Sequence, residues 1–162
     1  MTIYLIGSSI IKKWRFPIEC INLGINGLLT SELKESYKID IKKSDSVVFY
    51  CGGNDIRSNI SIDQIYNNII NFFSKIESKD VYIIEIVKCR KIYDMKLSFK
   101  TDLLNDLLKE FCNTHKYYCI DSNSIFKSCI LENECKICKD DGIHIEDQGY
   151  YNLETLISNC NS

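Results

Sequence analysis

Five short apolar runs punctuate the chain, at residues 2–6, 20–23, 46–51, 81–87 and 117–120, with stretches of helical periodicity between them. The runs are rich in β-branched and aromatic residues, and each reads as a short buried strand. Most stop at a glycine or a polar loop: Gly7 after the first, Gly24 after the second, Gly52-Gly53 after the third and Asp121 after the fifth. Ser61 opens a helix with Gln64 three residues on as a capping box. Ile62, Ile65, Tyr66, Ile69, Ile70, Phe73 and Ile76 then keep one apolar stripe at helical spacing. The stretch from Ser98 to Asn113 repeats the pattern through Phe99, Leu103, Leu104, Leu107, Leu108 and Phe111. A last helix is expected from Asp147 to Ser158, presenting Tyr150, Leu153 and Ile157, and a shorter one after Gly27 using Leu28, Leu29 and Leu33.

Strands alternating with helices require crossover connections, which make the strands parallel and cover both faces of the sheet. An α/β protein is therefore expected, one domain over residues 1–162 with no linker, repeat or low-complexity tract. In such sheets, ligands bind beyond the carboxyl ends of the strands, near the switch in strand order. Gly7-Ser8-Ser9, Gly24 to Gly27 and Gly52 to Asp55 all fall on that edge.

Bulk composition excludes more than it assigns. A chain 45% hydrophobic and 26% charged is ordinary for a globular protein, and a net charge of -2 makes no electrostatic case for nucleic acid or an anionic membrane as partner. No apolar run approaches the length of a membrane span. Met1 leads straight into the first strand without a basic segment, long apolar core or cleavage site, so a cytoplasmic protein with reduced thiols is expected. The nine cysteines include Cys51 and Cys119 inside apolar runs, where they read as small buried hydrophobes. Cys135 and Cys138 form a lone CxxC, with Cys129 upstream and His144 downstream. Without a second such pair this is a weak zinc signature, and no metal or cofactor is expected.

Reactive groups concentrate in Asp141-Gly142-Ile143-His144, which holds one of only two histidines with a carboxylate three residues ahead. Imidazole is the usual general base near neutral pH, and a carboxylate on its far side fixes tautomer and orientation. Such a base needs a nucleophile and donors for negative charge. Ser8-Ser9 on the first loop and Gly52-Gly53-Asn54-Asp55 on the third supply those residue types. Taken singly, each segment also fits a plain turn or a helix cap. The second histidine, His115, falls at the polar end of a predicted helix and is expected to take no part in chemistry.

Taken together and in this order, the segments resemble the SGNH (GDSL-type) hydrolases, which carry Ser, Gly, Asn and His in separate blocks. The first block is similar to Leu5-Ile6-Gly7-Ser8-Ser9-Ile10-Ile11-Lys12-Lys13-Trp14 and the second to Asn22-Leu23-Gly24-Ile25-Asn26-Gly27. The third is similar to Val48-Phe49-Tyr50-Cys51-Gly52-Gly53-Asn54-Asp55, and the last to Asp141-Gly142-Ile143-His144 followed by Gly149-Tyr150. Ser8 stands where the common pattern has Asp, as in the Gly-Ser-Ser branch, which also carries a tryptophan a few residues later, here Trp14. The resemblance implies a three-layer α/β/α sandwich with a five-stranded parallel sheet, flavodoxin-like, and hydrolysis of esters. It implies Ser9 as nucleophile, His144 as base and Asp141 as its partner, with an oxyanion hole formed by the Ser9 and Gly27 backbone N–H groups and the Asn54 amide. The short span between the first two blocks leaves little room for a full first helix.

The substrate expected on this reading is an O-acyl, above all O-acetyl, ester of a carbohydrate or small molecule. A lysophospholipase or thioesterase would use the same residues, and a non-catalytic binding module would keep the same fold. A flavin- or nucleotide-binding protein of flavodoxin type shares the layers but leaves Asp141 and His144 unexplained. Asp55 is expected to tie its loop down by hydrogen bonds, Arg57 is as well placed for plain surface as for function, and the loop 88–94 is a candidate for substrate selection.

Overall fold

Strands β1 (Ile3–Gly7), β2 (Ile21–Asn22), β3 (Ser46–Tyr50), β4 (Asp80–Ile84) and β5 (Tyr118–Ile120) form one parallel sheet in the order β2-β1-β3-β4-β5. The structure is a computed structural model and describes residues 1–15, 17–126 and 137–160. All five residues of β3 are buried, as expected of a central strand covered on both faces. Helices α2 (Leu33–Ser36), α4 (Ile62–Phe73) and α6 (Ser98–His115) pack together on one face; α1 (Ser9–Lys12), α7 (Ser122–Phe126) and α8 (Asp147–Asn159) cover the other. Two short helices, α3 (Gly53–Arg57) and α5 (Arg90–Asp94), lie past the carboxyl ends of β3 and β4. The result is the expected three-layer α/β/α sandwich. Among the described residues, no helix is long and apolar enough to cross a membrane.

Several elements differ in extent from the sequence reading, each for a local reason. The second run yields only a two-residue edge strand. The fourth run continues to Val87 in sequence, yet β4 stops at Ile84. Beyond it the backbone is satisfied by side chains: Asn105 Oδ1 accepts from Ile86 N–H at 2.7 Å and its Nδ2 donates to Ile86 O at 3.0 Å. Asn123 Nδ2 also donates to Ile86 O, at 3.0 Å, and Asn123 Oδ1 accepts from Lys88 N–H at 2.8 Å. Side-chain amides here replace a strand partner.

The same substitution shifts the inward face of α6. Its buried residues are Thr101, Leu104, Asn105, Leu108, Phe111 and Cys112, whereas Phe99 and Leu103 are exposed. A stripe drawn through apolar residues alone is therefore rotated from the true one, because Asn105 is buried for its hydrogen bonds. Helix α4 keeps its Ser61 cap, which accepts from Gln64 N–H at 3.3 Å, and ends at Phe73, short of Ile76. Phe49 of β3 packs its ring against Phe72 and Phe73 at 5.8 and 5.0 Å, fixing α4 on the sheet.

The expected short helix after Gly27 is a 3₁₀ turn (Thr30–Glu32) followed by α2. Helix α1 is four residues long, as the tight spacing before the second block requires. It is held from both sides. A Cβ at Gly24 would lie 2.2 Å from the Lys12 backbone nitrogen, so the segment after β2 lies directly on α1. From α8, Tyr150 Oη donates to Ile10 O at 2.7 Å, and Trp14 Nε1 donates to Glu154 Oε1 at 2.9 Å.

Candidate functional site

The sheet order reverses direction at β1, so the ends of β1 and β3 meet at the switch point, with Gly7 in register with Tyr50. Ser8 N–H donates to Tyr50 O at 3.0 Å, and the chain then turns into α1. Ser8 is buried at 3% exposure, whereas Ser9, the first residue of α1, is half-buried on the open side. Position at the start of a helix leaves the Ser9 N–H without an intrahelical carbonyl. Tyr37 closes the floor: its Oη accepts from Gly7 N–H at 3.2 Å and lies 3.0 Å from Leu23 O. Burial pushes that phenol up to about 12, so it stays protonated.

Asp141 and His144 arrive on a narrow loop. Cys138 bridges Ile145 in antiparallel fashion, Lys139 N–H donates to His144 O at 2.8 Å, and Glu146 N–H donates to Ile137 O at 2.7 Å. The start of α5 anchors its tip, through Lys91 N–H to Gly142 O at 2.9 Å. Asp141 Oδ1 accepts from the backbone N–H groups of Ile143 and His144 at 2.8 and 2.9 Å. Its Oδ2 lies 2.5 Å from His144 Nδ1. Burial pushes the Asp141 carboxyl up, but hydrogen bonds from the imidazole and both N–H groups outweigh it and hold the carboxyl well below the usual range. A carboxylate can only accept, so the proton on this side belongs to Nδ1 and leaves Nε2 as an acceptor. Nε2 lies 3.1 Å from Ser9 Oγ. Residues separated by 135 positions thus form one line: carboxylate, imidazole, hydroxyl.

Asn54, on α3, faces the same space. Its Nδ2 donates to Leu28 O at 3.1 Å, and its Oδ1 accepts from Arg57 Nη2 at 2.5 Å. The next residue, Asp55, is fully buried and accepts from Thr30 N–H at 3.0 and 3.1 Å and from Thr30 Oγ1 at 2.6 Å. Burial raises the Asp55 carboxyl above its ordinary value despite these bonds. The loop carrying Asn54 is therefore stitched at two points to the segment just after Gly27. Gly27 is exposed with φ +73°, and a Cβ there would meet no protein atom within 4 Å. Its glycine is required by the left-handed backbone, and the space beside it is open.

A shallow depression is lined by Ser9, Gly53, Asn54, Arg57, Cys89 and Ile143 among others, and Gly27 lies outside that lining. Of these residues, Ile143 had no role of its own in the sequence reading, Cys89 falls in the loop 88–94 offered for substrate selection, and Arg57 was as well placed for plain surface as for function. Arg57 had one readable signal: three positions after Asn54, it shares a face with it if the intervening loop is helical, as α3 is. The loop 88–94 is partly helix α5, and Lys88 is paired with Asp102 at 2.7 Å rather than turned to the depression. His115 closes α6 at the opposite edge of the sheet, its Nδ1 3.0 Å from Phe111 O and its ring 4.2 Å from that of Phe111. Among the described residues, no group of three or more His, Cys, Asp or Glu could hold a metal ion. Cys129 and Cys135 lie outside the described residues.

No protein-family model and no curated protein sequence matches the chain. Solved structures do. A member of the lipolytic protein G-D-S-L family from Veillonella parvula superposes with a TM-score of 0.78 at 16% identity, over 98% of this chain and 96% of that one. A lipase/acylhydrolase from Enterococcus faecalis gives 0.75 at 21% identity, over 98% and 93%. An acetylxylan esterase from Geobacillus stearothermophilus gives 0.79 at 14% identity, over 98% and 92%. The chain has the fold of the SGNH/GDSL hydrolases, end to end.

Proposed function

We propose that the protein is a serine esterase that hydrolyses O-acyl esters, with acetyl as the preferred acyl group and a carbohydrate or other small molecule as the alcohol. The observation that carries this reading is the line Asp141 Oδ2, His144 Nδ1, His144 Nε2 and Ser9 Oγ, with contacts of 2.5 and 3.1 Å. On this reading Ser9 Oγ attacks the ester carbonyl while His144 Nε2 takes its proton; a hydroxyl without such a base is a poor nucleophile. Asp141 holds the ring and stabilises the imidazolium. The oxyanion accepts hydrogen bonds from the Ser9 and Gly27 backbone N–H groups and from the second N–H of Asn54, whose first is taken by Leu28 O. Collapse expels the alcohol, which takes the proton from His144. Water, deprotonated by His144, then releases the acid from the acyl-Ser9 ester.

The depression beside Ser9 is shallow and closely lined, which supports a short acyl group over a long chain. Acetylxylan esterases and lipases/acylhydrolases among the structural relatives support ester chemistry without choosing between substrates. The deciding experiment compares p-nitrophenyl acetate with p-nitrophenyl octanoate on wild type, Ser9→Ala and Ser8→Ala, together with fluorophosphonate labelling. Ser9→Ala is expected to abolish turnover and labelling, while Ser8→Ala keeps a measurable rate. Folded wild type that neither turns over an ester nor takes the label would favour a binding module instead. Preference for octanoate would point to a lipid or thioester substrate.

A further inference from the structure

Arg57 is half-buried beside the nucleophile, and among the described residues no carboxylate pairs with it. Among the described residues, its one hydrogen bond runs to Asn54 Oδ1, at 2.5 Å. A side-chain amide has two faces of nearly equal shape, and rotation by half a turn exchanges donor for acceptor. Here the two neighbours permit only one orientation. Arg57 offers donors alone, so it demands the oxygen; the Leu28 carbonyl accepts alone, so it demands the nitrogen. A charge-assisted bond to the amide oxygen also polarises the group and strengthens donation from its nitrogen. We propose that Arg57 is a positioning residue that locks the Asn54 amide with its N–H toward the developing oxyanion and sharpens that donor.

The proposal rests on the serine-esterase reading and predicts a particular pattern of coupling. Arg57→Gln, which is shorter, uncharged and offers both donor and acceptor, is expected to lower kcat by about tenfold or more, below the 10²–10³ of losing a donor outright, with KM little changed. Arg57→Lys, donor-only but single-pointed, recovers part of that loss. In an Asn54→Ala background, Arg57→Gln is expected to change kcat by no more than about twofold, because the residue it acts through is gone. A full tenfold loss in that background, or a raised KM with unchanged kcat, would overturn the proposal and make Arg57 a direct contact to substrate. The Asn54 side-chain amide resonances in a ¹⁵N spectrum give a readout independent of turnover. They should move in Arg57→Gln and return toward wild type in Arg57→Lys; unmoved resonances also refute the proposal. Failure of the esterase reading is separately visible as wild-type protein without turnover or serine labelling.

Discussion

Replacing Asp55 by alanine tests how the two loops of the site are held together. The carboxylate is fully buried and accepts three contacts of 2.6 to 3.1 Å from the two donors of Thr30, a residue itself only 1% exposed. Truncation strands both donors, at about 1–3 kcal/mol each for a buried unsatisfied group. The Thr30 hydroxyl keeps one contact, from Asn68 Nδ2 at 3.1 Å, but that bond uses its acceptor side and does not replace the lost one. Against this, burial disfavours the ionised carboxyl, as its raised pKa records, and removing the charge relieves that cost. The net loss should fall in the lower half of the range, about 2–4 kcal/mol. Urea unfolding followed by circular dichroism would measure it, with an unchanged slope showing that the denatured state is not the source. Since Thr30 lies three residues beyond Gly27, the folded fraction should also lose kcat while Ser9 still takes the fluorophosphonate. A destabilisation under about 1 kcal/mol, with full kcat, would refute the idea that this bond carries the geometry of the site.

Other perturbations separate the remaining roles. Gly24→Ala forces a Cβ to within 2.2 Å of the Lys12 nitrogen and must displace α1, so it should unfold the protein or cost several degrees in melting temperature. Gly27→Ala meets open space but a φ of +73°, which costs about 1–2 kcal/mol, so the protein should stay folded with weakened turnover. Asp141 is held below its ordinary value of 3.8, so its stabilising contribution is complete above that pH and is lost only as pH falls through the lower folded value. The gap in melting temperature between wild type and Asp141→Asn should accordingly be constant from neutral pH down to about 5 and narrow in stronger acid. His115→Ala, at the far edge of the sheet, should leave kcat/KM within about twofold of wild type; a tenfold loss would mean that the base has been misassigned.

Much of the architecture was readable because strands and helices answer to local periodicity. The run from Ser46 to Tyr50 is apolar at nearly every position, and only a strand covered on both faces tolerates that; it is the centre of the sheet. Ser61 with Gln64 marks the start of α4, because a cap is satisfied within one turn of its own chain. Where local pattern misled, a long-range polar bond had overridden it. Asn105 falls outside the apolar stripe of residues 98–113 and is buried at 4% exposure, because Ile86 needs both its donor and its acceptor. Phe99 reads as core and is 75% exposed, since α6 is rolled to place Asn105 inward.

The sequence by itself determined which groups were available: a carboxylate three residues from an imidazole, two serines after the first strand, and an Asn-Asp pair after the third. It determined too that the two serines and the Asn-Asp pair would share one edge of a parallel sheet, since crossover connections send every strand's carboxyl end the same way. The resemblance pointed to Ser9 over Ser8, but only the tertiary structure brings His144 within reach of Ser9, because that contact depends on which hydroxyl α1 turns outward. It alone joined Asp55 to Thr30 and Arg57 to Asn54. Hydrogen bonds between loops are set by distances of a few tenths of an ångström, and those are fixed by the packed core beneath them rather than by neighbours in the chain.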